Sequence, residues 1–183
     1  MPTSIKKKLT PICDGLIEHD LQKNILAGSI LTNLVKERDN EIIWDVTNGF
    51  EQAYESIAEE VADLDPDYIV CPVGSGEGFV GIYQGIKKYK LKTKLIGVTP
   101  TQSTSIADKL TCIWTPYRKE IERITQEKDN QVIKITEEQI EENYQSAQKY
   151  LTCEPSSAVV FGALKNVPLE KDVVILLINS GSS

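Results

Sequence analysis

The sequence is poor in the residues on which several common active sites depend. It has one histidine, His19, and no GxSxG segment, so neither a histidine-based metal site nor a Ser-His-Asp triad is expected. No metal ligand set is predicted. The four cysteines include no CxxC pair, which favours free thiols in a reducing cytoplasm over a disulfide framework. We therefore expect a cytoplasmic protein whose cysteines are buried packing residues, Cys71 above all.

Net positive charge and long apolar runs are also lacking. The formal net charge is -7, so the chain gains little from neutralising phosphates, and neither nucleic acid nor an anionic membrane is an expected partner. No stretch reaches the roughly 18 apolar residues of a membrane span. The basic start of the chain is not followed by an apolar run, so no signal peptide is expected. These features are typical of a soluble globular protein.

Strand and helix signals alternate along the chain. Short apolar segments predict strands at residues 41–46, 68–73, 94–98, 131–135 and 172–178. Helical periodicity, a capping box and a first-turn proline predict helices at residues 51–64, 79–88, 118–129, 136–150 and 154–165. We predict a single α/β domain over residues 1–183, an open three-layer parallel sheet with helices on both faces. Residues 1–40 fit this pattern least and are interpreted as a helical N-terminal arm.

A glycine-rich run, Gly74–Gly81, follows a predicted buried strand and opens a helix. Glycine lets backbone N–H groups approach an anion closely, and a helix N-terminus adds partial positive charge. The run lacks the GK[ST] of a Walker loop and does not match GxGxxG, because the third glycine of that pattern would fall at Phe79. It therefore predicts an anion-binding loop, with a plain tight turn between strand and helix as the alternative.

A second polar segment, Asn179–Ser183, follows the last predicted strand. If the strands are parallel, this segment and the glycine run lie at the same carboxyl edge, where open α/β sheets bind ligands. The hydroxyl groups of Ser180 and Ser182 would then be available for hydrogen bonds. The alternative is a frayed or truncated tail.

Four segments together are more specific than any one of them. They are PDYIVCPVGSGEGFVGIYQGIK, KLIGVTPTQSTSIADKL, QVIKITEEQIEENYQSAQKYLTCEPSSAVVFGALK and DVVILLINSGSS. In this order they resemble the C-terminal part of the fold-type II pyridoxal-phosphate enzymes, the family of cysteine synthase, threonine synthase, serine/threonine dehydratase and the tryptophan synthase β chain. The resemblance covers roughly residues 48–183.

The resemblance implies site residues. In the family, the glycine loop binds the phosphate of pyridoxal phosphate, which maps that role onto Gly74, Ser75, Gly76 and Gly78. A serine or threonine after the last strand contacts the pyridine nitrogen, which maps that role onto Ser180. The EPSSA segment packs near the site in the family, so Glu154 and Ser156 are weaker candidates.

The sequence departs from the family pattern in two respects. Glu77 stands where the family usually has a small or polar residue, and a carboxylate beside a phosphate is unfavourable unless it points away. The S-x-K-x-R-like segment that carries the Schiff-base lysine is also missing, so the catalytic residues are unknown. The N-terminal, substrate-binding half of the family fold has no counterpart, which leads us to expect a second chain or a homo-oligomer.

Three functions are compatible with the sequence. In the first, the chain is part of a split or partial pyridoxal-phosphate enzyme for amino-acid elimination or replacement, with any cofactor held noncovalently by this chain alone. Alternatively, it is a non-catalytic relative that serves as a regulatory or interaction module. The third possibility is an unrelated α/β domain that binds a nucleotide or a phosphometabolite.

Overall fold

The computed structural model of the protein describes residues 7, 9–14, 49–112, 115–127, 129–165, 167 and 172–181. The chain divides into two compact units, Met1–Trp44 and Asp45–Ser183. In the first unit, the N–H groups of Ile12 and Cys13 donate to the carbonyl of Leu9, at 2.9 and 3.1 Å, and form a turn. The rest of the predicted arm, the predicted strand at 41–46 and His19 lie outside the described residues.

Helices and strands alternate in the second unit. Its described α-helices are α1 (Glu51–Glu60), α2 (Glu77–Lys88), α3 (Arg118–Gln126), α4 (Glu137–Ala147) and α5 (Pro155–Ala158). The strands are β1 (Tyr68–Pro72), β2 (Lys94–Pro100), β3 (Gln131–Ile135) and β4 (Ile175–Leu177). Short 3-10 helices occupy Ala62–Leu64, Asp108–Leu110 and Val159–Lys165. No helix in the described part of the chain is long and apolar enough to cross a membrane.

The four strands form one parallel sheet in the order β3-β2-β1-β4. Tyr68 at the start of β1 is paired with Lys94 on one side and with Ile175 on the other. Because all neighbours are parallel, the carboxyl ends of the strands meet at one edge of the sheet, here called the carboxyl edge. This confirms the predicted α/β class and parallel sheet.

Two apolar layers cover the two faces of the sheet, since successive side chains of a strand point to opposite faces. On one face, Ile69 and Leu95 pack with Phe79 of α2 and Ile124 of α3. On the other face, a second buried cluster contains Val70, Ile96, Val98, Ile140, Val159 and Ala163. Helices therefore cover both faces, as the sequence predicts.

Two glycines of α2 allow α1 to pack directly on its backbone. A Cβ atom placed at Gly81 would lie 2.1 Å from the carbonyl oxygen of Glu51, and one at Gly85 would lie 2.7 Å from that of Glu55. Both distances are far inside van der Waals contact. The sequence analysis assigned Gly81 to an anion-binding loop, but the residue lies inside α2 and serves the contact between the two helices.

Several predicted boundaries are corrected by the structure. Helix α2 begins at Glu77, two residues before the predicted start, because Gly76 already turns the chain into the helix. The helix predicted over 154–165 is α-helical only at Pro155–Ala158 and continues as a 3-10 helix.

The prediction of buried cysteines is correct for two of the four. Cys71 and Cys153 are buried, and burial raises the pKa of the Cys71 thiol to about 12. For Cys13 and Cys112 the prediction is wrong, since both are exposed. All four are free.

Candidate functional site

Two loops meet at the carboxyl edge. The β1–α2 loop, Val73–Gly76, follows β1, and the C-terminal segment, Asn179–Gly181, follows β4. Strands β1 and β4 are neighbours, and the pairing continues beyond β4 because Ile178 N–H donates to the carbonyl of Val70 at 2.9 Å. The structure thus places the two sequence-predicted segments at the carboxyl ends of neighbouring strands. Ser182 lies outside the described residues.

The β1–α2 loop ends in the N-terminus of a three-turn helix. Gly76 has a φ of 93°, a left-handed conformation that favours glycine. The first bond of the helix runs from Val80 N–H to the Gly76 carbonyl, 3.0 Å. The preceding N–H groups of the first turn have no partner within the helix, and the helix dipole adds partial positive charge there. Ser75 Oγ lies beside them, 3.5 Å from the backbone nitrogen of Glu77.

Gly78 stands in this first turn rather than in a loop. It is the second residue of α2, so its N–H belongs to the unpaired group at the helix N-terminus. A Cβ placed on it would meet only Tyr54, at an ordinary 3.6 Å. A side chain at this position would therefore have room beside Tyr54.

The side chain of Glu77 turns away from that N-terminus. Its Oε1 accepts a 2.8 Å hydrogen bond from the backbone N–H of Phe50, and Glu77 as a whole is only 5% exposed. The carboxylate therefore satisfies an N–H at the start of α1, where its negative charge is favourable. This orientation reduces the electrostatic repulsion that the sequence predicts between the Glu77 carboxylate and a bound phosphate.

Tyr117 lies beside Glu77 and joins it to the start of α1. Its hydroxyl donates to Glu51 Oε2 at 2.6 Å and accepts from the N–H of Gly49 at 2.9 Å. The bond from Tyr117 lowers the pKa of the Glu51 carboxyl. Burial, and next the bond to Glu51, raises the pKa of the Tyr117 hydroxyl, which therefore stays protonated at neutral pH.

Thr115 links the β1–α2 loop to the residue that precedes α3. Its hydroxyl donates to the carbonyl of Ser75 and accepts from the N–H of Tyr117 at 3.0 Å. Ile121 of α3 packs against Gly76. A Cβ atom placed at Gly76 would lie 2.5 Å from Ile121 Cδ1. Thr115 and Tyr117 are not predictable from the sequence, because they lie in an irregular stretch without a motif. Only their contacts reveal their role.

We expect Tyr117→Phe to lower the free energy of unfolding by about 1–2 kcal/mol at neutral pH, because it leaves Glu51 and the N–H of Gly49 without their shared partner. The Glu51 pKa is depressed in the folded state, so its stabilising contribution is present above the unfolded pKa and is lost as the pH falls through the folded pKa. Urea denaturation over acidic pH should therefore show a flatter acid limb in the variant. An unchanged acid limb would contradict this role.

The C-terminal segment is held by the start of α5. Ser157 Oγ lies 3.1 Å from Ser180 Oγ and donates to the carbonyl of Gly181 at 3.1 Å. The backbone N–H of Glu154 donates to the same carbonyl at 3.2 Å. Glu154 therefore contacts the C-terminal segment. Ser156 and Ser157 are both buried, and it is Ser157, which was not among the predicted site residues, whose hydroxyl bonds to the segment.

The comparison with known protein families decides the family. Residues 28–181 match the family described as "Pyridoxal-phosphate dependent enzyme". The chain belongs to the pyridoxal-phosphate-dependent enzyme family. No curated protein matches the sequence.

Solved structures of fold-type II pyridoxal-phosphate enzymes have the same fold. A cysteine synthase from Entamoeba histolytica matches all of this chain with a TM-score of 0.78 at 19% identity, over 59% of its own length. A maize serine racemase also matches all of it, with a TM-score of 0.75 at 13% identity, over 64% of its length. A threonine deaminase from Solanum lycopersicum matches 83% of the chain, with a TM-score of 0.65 at 19% identity, over 51% of its length. The chain therefore spans less than two thirds of the proteins it resembles.

The residues at the carboxyl edge fit the cofactor of this family. A phosphate needs unpaired N–H donors without a competing carboxylate. In the first turn of α2 the N–H of Glu77 donates to Ser75 Oγ, the N–H groups of Gly78 and Phe79 have no partner within the helix, and the Glu77 carboxylate is bonded to Phe50. A pyridine nitrogen needs a hydroxyl partner, and the Ser180 hydroxyl, which lies 3.1 Å from Ser157 Oγ, still has an oxygen lone pair for a protonated ring nitrogen. Both groups lie at the ends of neighbouring strands.

Proposed function

We propose that this chain is one part of a fold-type II pyridoxal-phosphate enzyme that performs elimination or replacement on amino acids. The observation that carries the proposal is the convergence of the open first turn of α2 and Ser180 at the ends of β1 and β4. Pyridoxal phosphate, when bound, supplies an electron sink for a carbanion next to the amino group of the substrate. Gly74, Ser75, Gly76 and Gly78 would bind its phosphate, and Ser180 would face its ring nitrogen.

A second subunit is part of the proposal. The chain spans 59% of the cysteine synthase that it resembles, and its sequence has no counterpart of the lysine-bearing segment. Within the described residues, β4 pairs with β1 on one side only. Its residues are half-buried where those of β1 are mostly buried, and Val174 beside it is 45% exposed. We propose that a different chain or another copy covers this edge and completes the site.

We also propose a cytoplasmic location, which the free state of all four cysteines supports. The alternative function is a non-catalytic relative that retains the phosphate site as a regulatory or interaction module. It is favoured by the missing lysine-bearing segment.

Titration calorimetry with pyridoxine 5′-phosphate tests the cofactor site. This analogue has the phosphate and the ring but no aldehyde, so it cannot react with surface lysines. We expect binding that inorganic phosphate competes away, and no comparable binding of pyridoxine, which lacks the phosphate. Equal binding of the two compounds would contradict a phosphate site at α2, and no binding of either would contradict the proposed function.

Borohydride reduction in the presence of pyridoxal phosphate separates the two functions. For the chain alone we expect no stoichiometric adduct on any single lysine by peptide mass spectrometry. If amino-acid elimination activity appears when this chain is mixed with a second chain that carries the lysine-bearing segment, the split enzyme is supported. A stoichiometric adduct on one lysine would show that this chain carries its own Schiff-base residue and would overturn the half-site interpretation.

A further inference from the structure

Lys109 lies between the two halves of the candidate cofactor site. It belongs to the 3-10 helix Asp108–Leu110, in the connection that follows β2. Its backbone carbonyl faces the β1–α2 loop, since a Cβ placed at Gly74 would lie 3.0 Å from the Lys109 oxygen. Its ammonium group forms an ion pair with Glu154 Oε2. The backbone of Lys109 therefore lies against the β1–α2 loop, and its side chain binds Glu154.

Glu154 links this ion pair to the C-terminal segment. Its N–H donates to the carbonyl of Gly181, and a Cβ placed at Gly181 would lie 2.8 Å from Glu154 Oε1. The Glu154 side chain is 8% exposed, whereas that of Lys109 is 52% exposed. A nearly buried carboxylate that loses its partner is left with an uncompensated charge. Breaking this ion pair should therefore cost more free energy than breaking an exposed one.

We propose that the Lys109–Glu154 ion pair clamps the β1–α2 loop and the C-terminal segment at the spacing that one phosphate-bearing pyridine ligand needs. This inference rests on the proposed function for its ligand, but the clamp itself exists in the free protein. Lys109 acts here as a positioning residue through Glu154. It is distinct from the residues whose backbone groups or hydroxyls would touch the ligand.

The chain offers a matched control pair at the other end of α2. Lys88 and Glu55 form an ion pair of 2.7 Å with side-chain exposures of 58% and 14%, close to those of Lys109 and Glu154. Lys88 lies at the last residue of α2, roughly 17 Å along the helix axis from its N-terminus. Lys88→Met therefore breaks a similar ion pair at a position distant from the candidate site.

Amide hydrogen exchange tests the clamp without any ligand. We expect Lys109→Met to speed exchange about fivefold both in residues 73–81 and in residues 175–181, since the two segments share the pair. Lys88→Met should change neither segment. Faster exchange confined to residues around 109, or the same result for both variants, would overturn the clamp.

Calorimetry with pyridoxine 5′-phosphate then distinguishes positioning from direct contact. If Lys109 acts through Glu154, then Lys109→Met, Glu154→Gln and the double variant should each bind about fivefold more weakly, and Lys109→Arg should restore most of the affinity. If Glu154→Gln binds normally and Lys109→Met does not, Lys109 contacts the anion directly and the clamp is wrong. If the wild-type chain does not bind, the proposed function fails, and the exchange result still decides whether the clamp exists.

Discussion

Gly78→Asp should weaken binding of pyridoxine 5′-phosphate about 100-fold without destabilising the fold. The new carboxylate would stand in the first turn of α2, beside the N–H groups proposed to bind the phosphate. Two unit charges 4 Å apart repel by about 4 kcal/mol at an effective dielectric constant of 20, and partial exposure to water reduces this to roughly 2–3 kcal/mol. Calorimetric titration of the variant measures the loss.

The fold should tolerate this substitution for two reasons. A Cβ at position 78 meets only the ring of Tyr54, at 3.6 Å, and the backbone there is helical. An acidic residue in the first turn of a helix contributes about 0.3–1 kcal/mol through the helix dipole. A loss of binding could therefore not be ascribed to unfolding.

Gly78→Asn is the matched control, because it has the same shape without the charge. It should bind within a few-fold of the wild-type protein, with equal stability by urea denaturation. If the Asp and Asn variants bind equally well, the first turn of α2 is not the phosphate site. The same pair of variants then also argues against the roles assigned to Ser75 and Gly76.

Gly81→Ala should lower the free energy of unfolding by about 1–2 kcal/mol, although alanine is the better helix former. The added methyl group would lie 2.1 Å from the carbonyl oxygen of Glu51 and 2.7 Å from Cβ of Tyr54. Neither atom belongs to the flexible end of a side chain, so α1 as a whole must move. Overpacking of this kind costs about 1–3 kcal/mol and occasionally more, and the gain of about 1 kcal/mol in helix propensity offsets part of it.

Urea denaturation measures this effect, and Gly78→Ala serves as its control. The control makes the same chemical change three residues earlier on α2, where the added methyl group has room. It should raise stability by about 0.5–1 kcal/mol, as expected for glycine to alanine in a helix. Equal effects of the two substitutions would show that α1 does not pack on α2 in solution as it does in the structure.

The parallel core of the fold could be predicted from short-range patterns. Apolar segments at 68–73, 94–98 and 131–135 correspond to β1, β2 and β3, because buried strands of a parallel sheet are continuous apolar runs. The capping box at Thr136 is present at the start of α4, with both of its hydrogen bonds. The ends of helices are harder to predict than their cores where a glycine or a 3-10 turn shifts the helix start, as at Glu77.

The candidate site could be predicted only in part. The positions of Gly74, Ser75, Gly76, Gly78 and Ser180 at one carboxyl edge follow from parallel strand order, and that geometry is confirmed, while their roles stay predictions. Thr115, Tyr117 and Lys109 could not be found, because no local pattern marks a residue that contributes one hydrogen bond or ion pair to a distant segment. Thr115 is 40 positions from Ser75, and Lys109 is 45 from Glu154.

By itself, the sequence determined the α/β class, the parallel sheet and the glycine run between β1 and α2. Each depends on the period of apolar residues or on backbone freedom, which are local properties. Only the tertiary structure decided what the single residues of that run do. Gly78 stands in the first turn of α2 with room for a side chain, Gly81 admits the backbone of α1, and Glu77 reaches 27 positions back to Phe50. These roles depend on which distant atoms lie within a few ångströms, and a linear pattern does not contain that information.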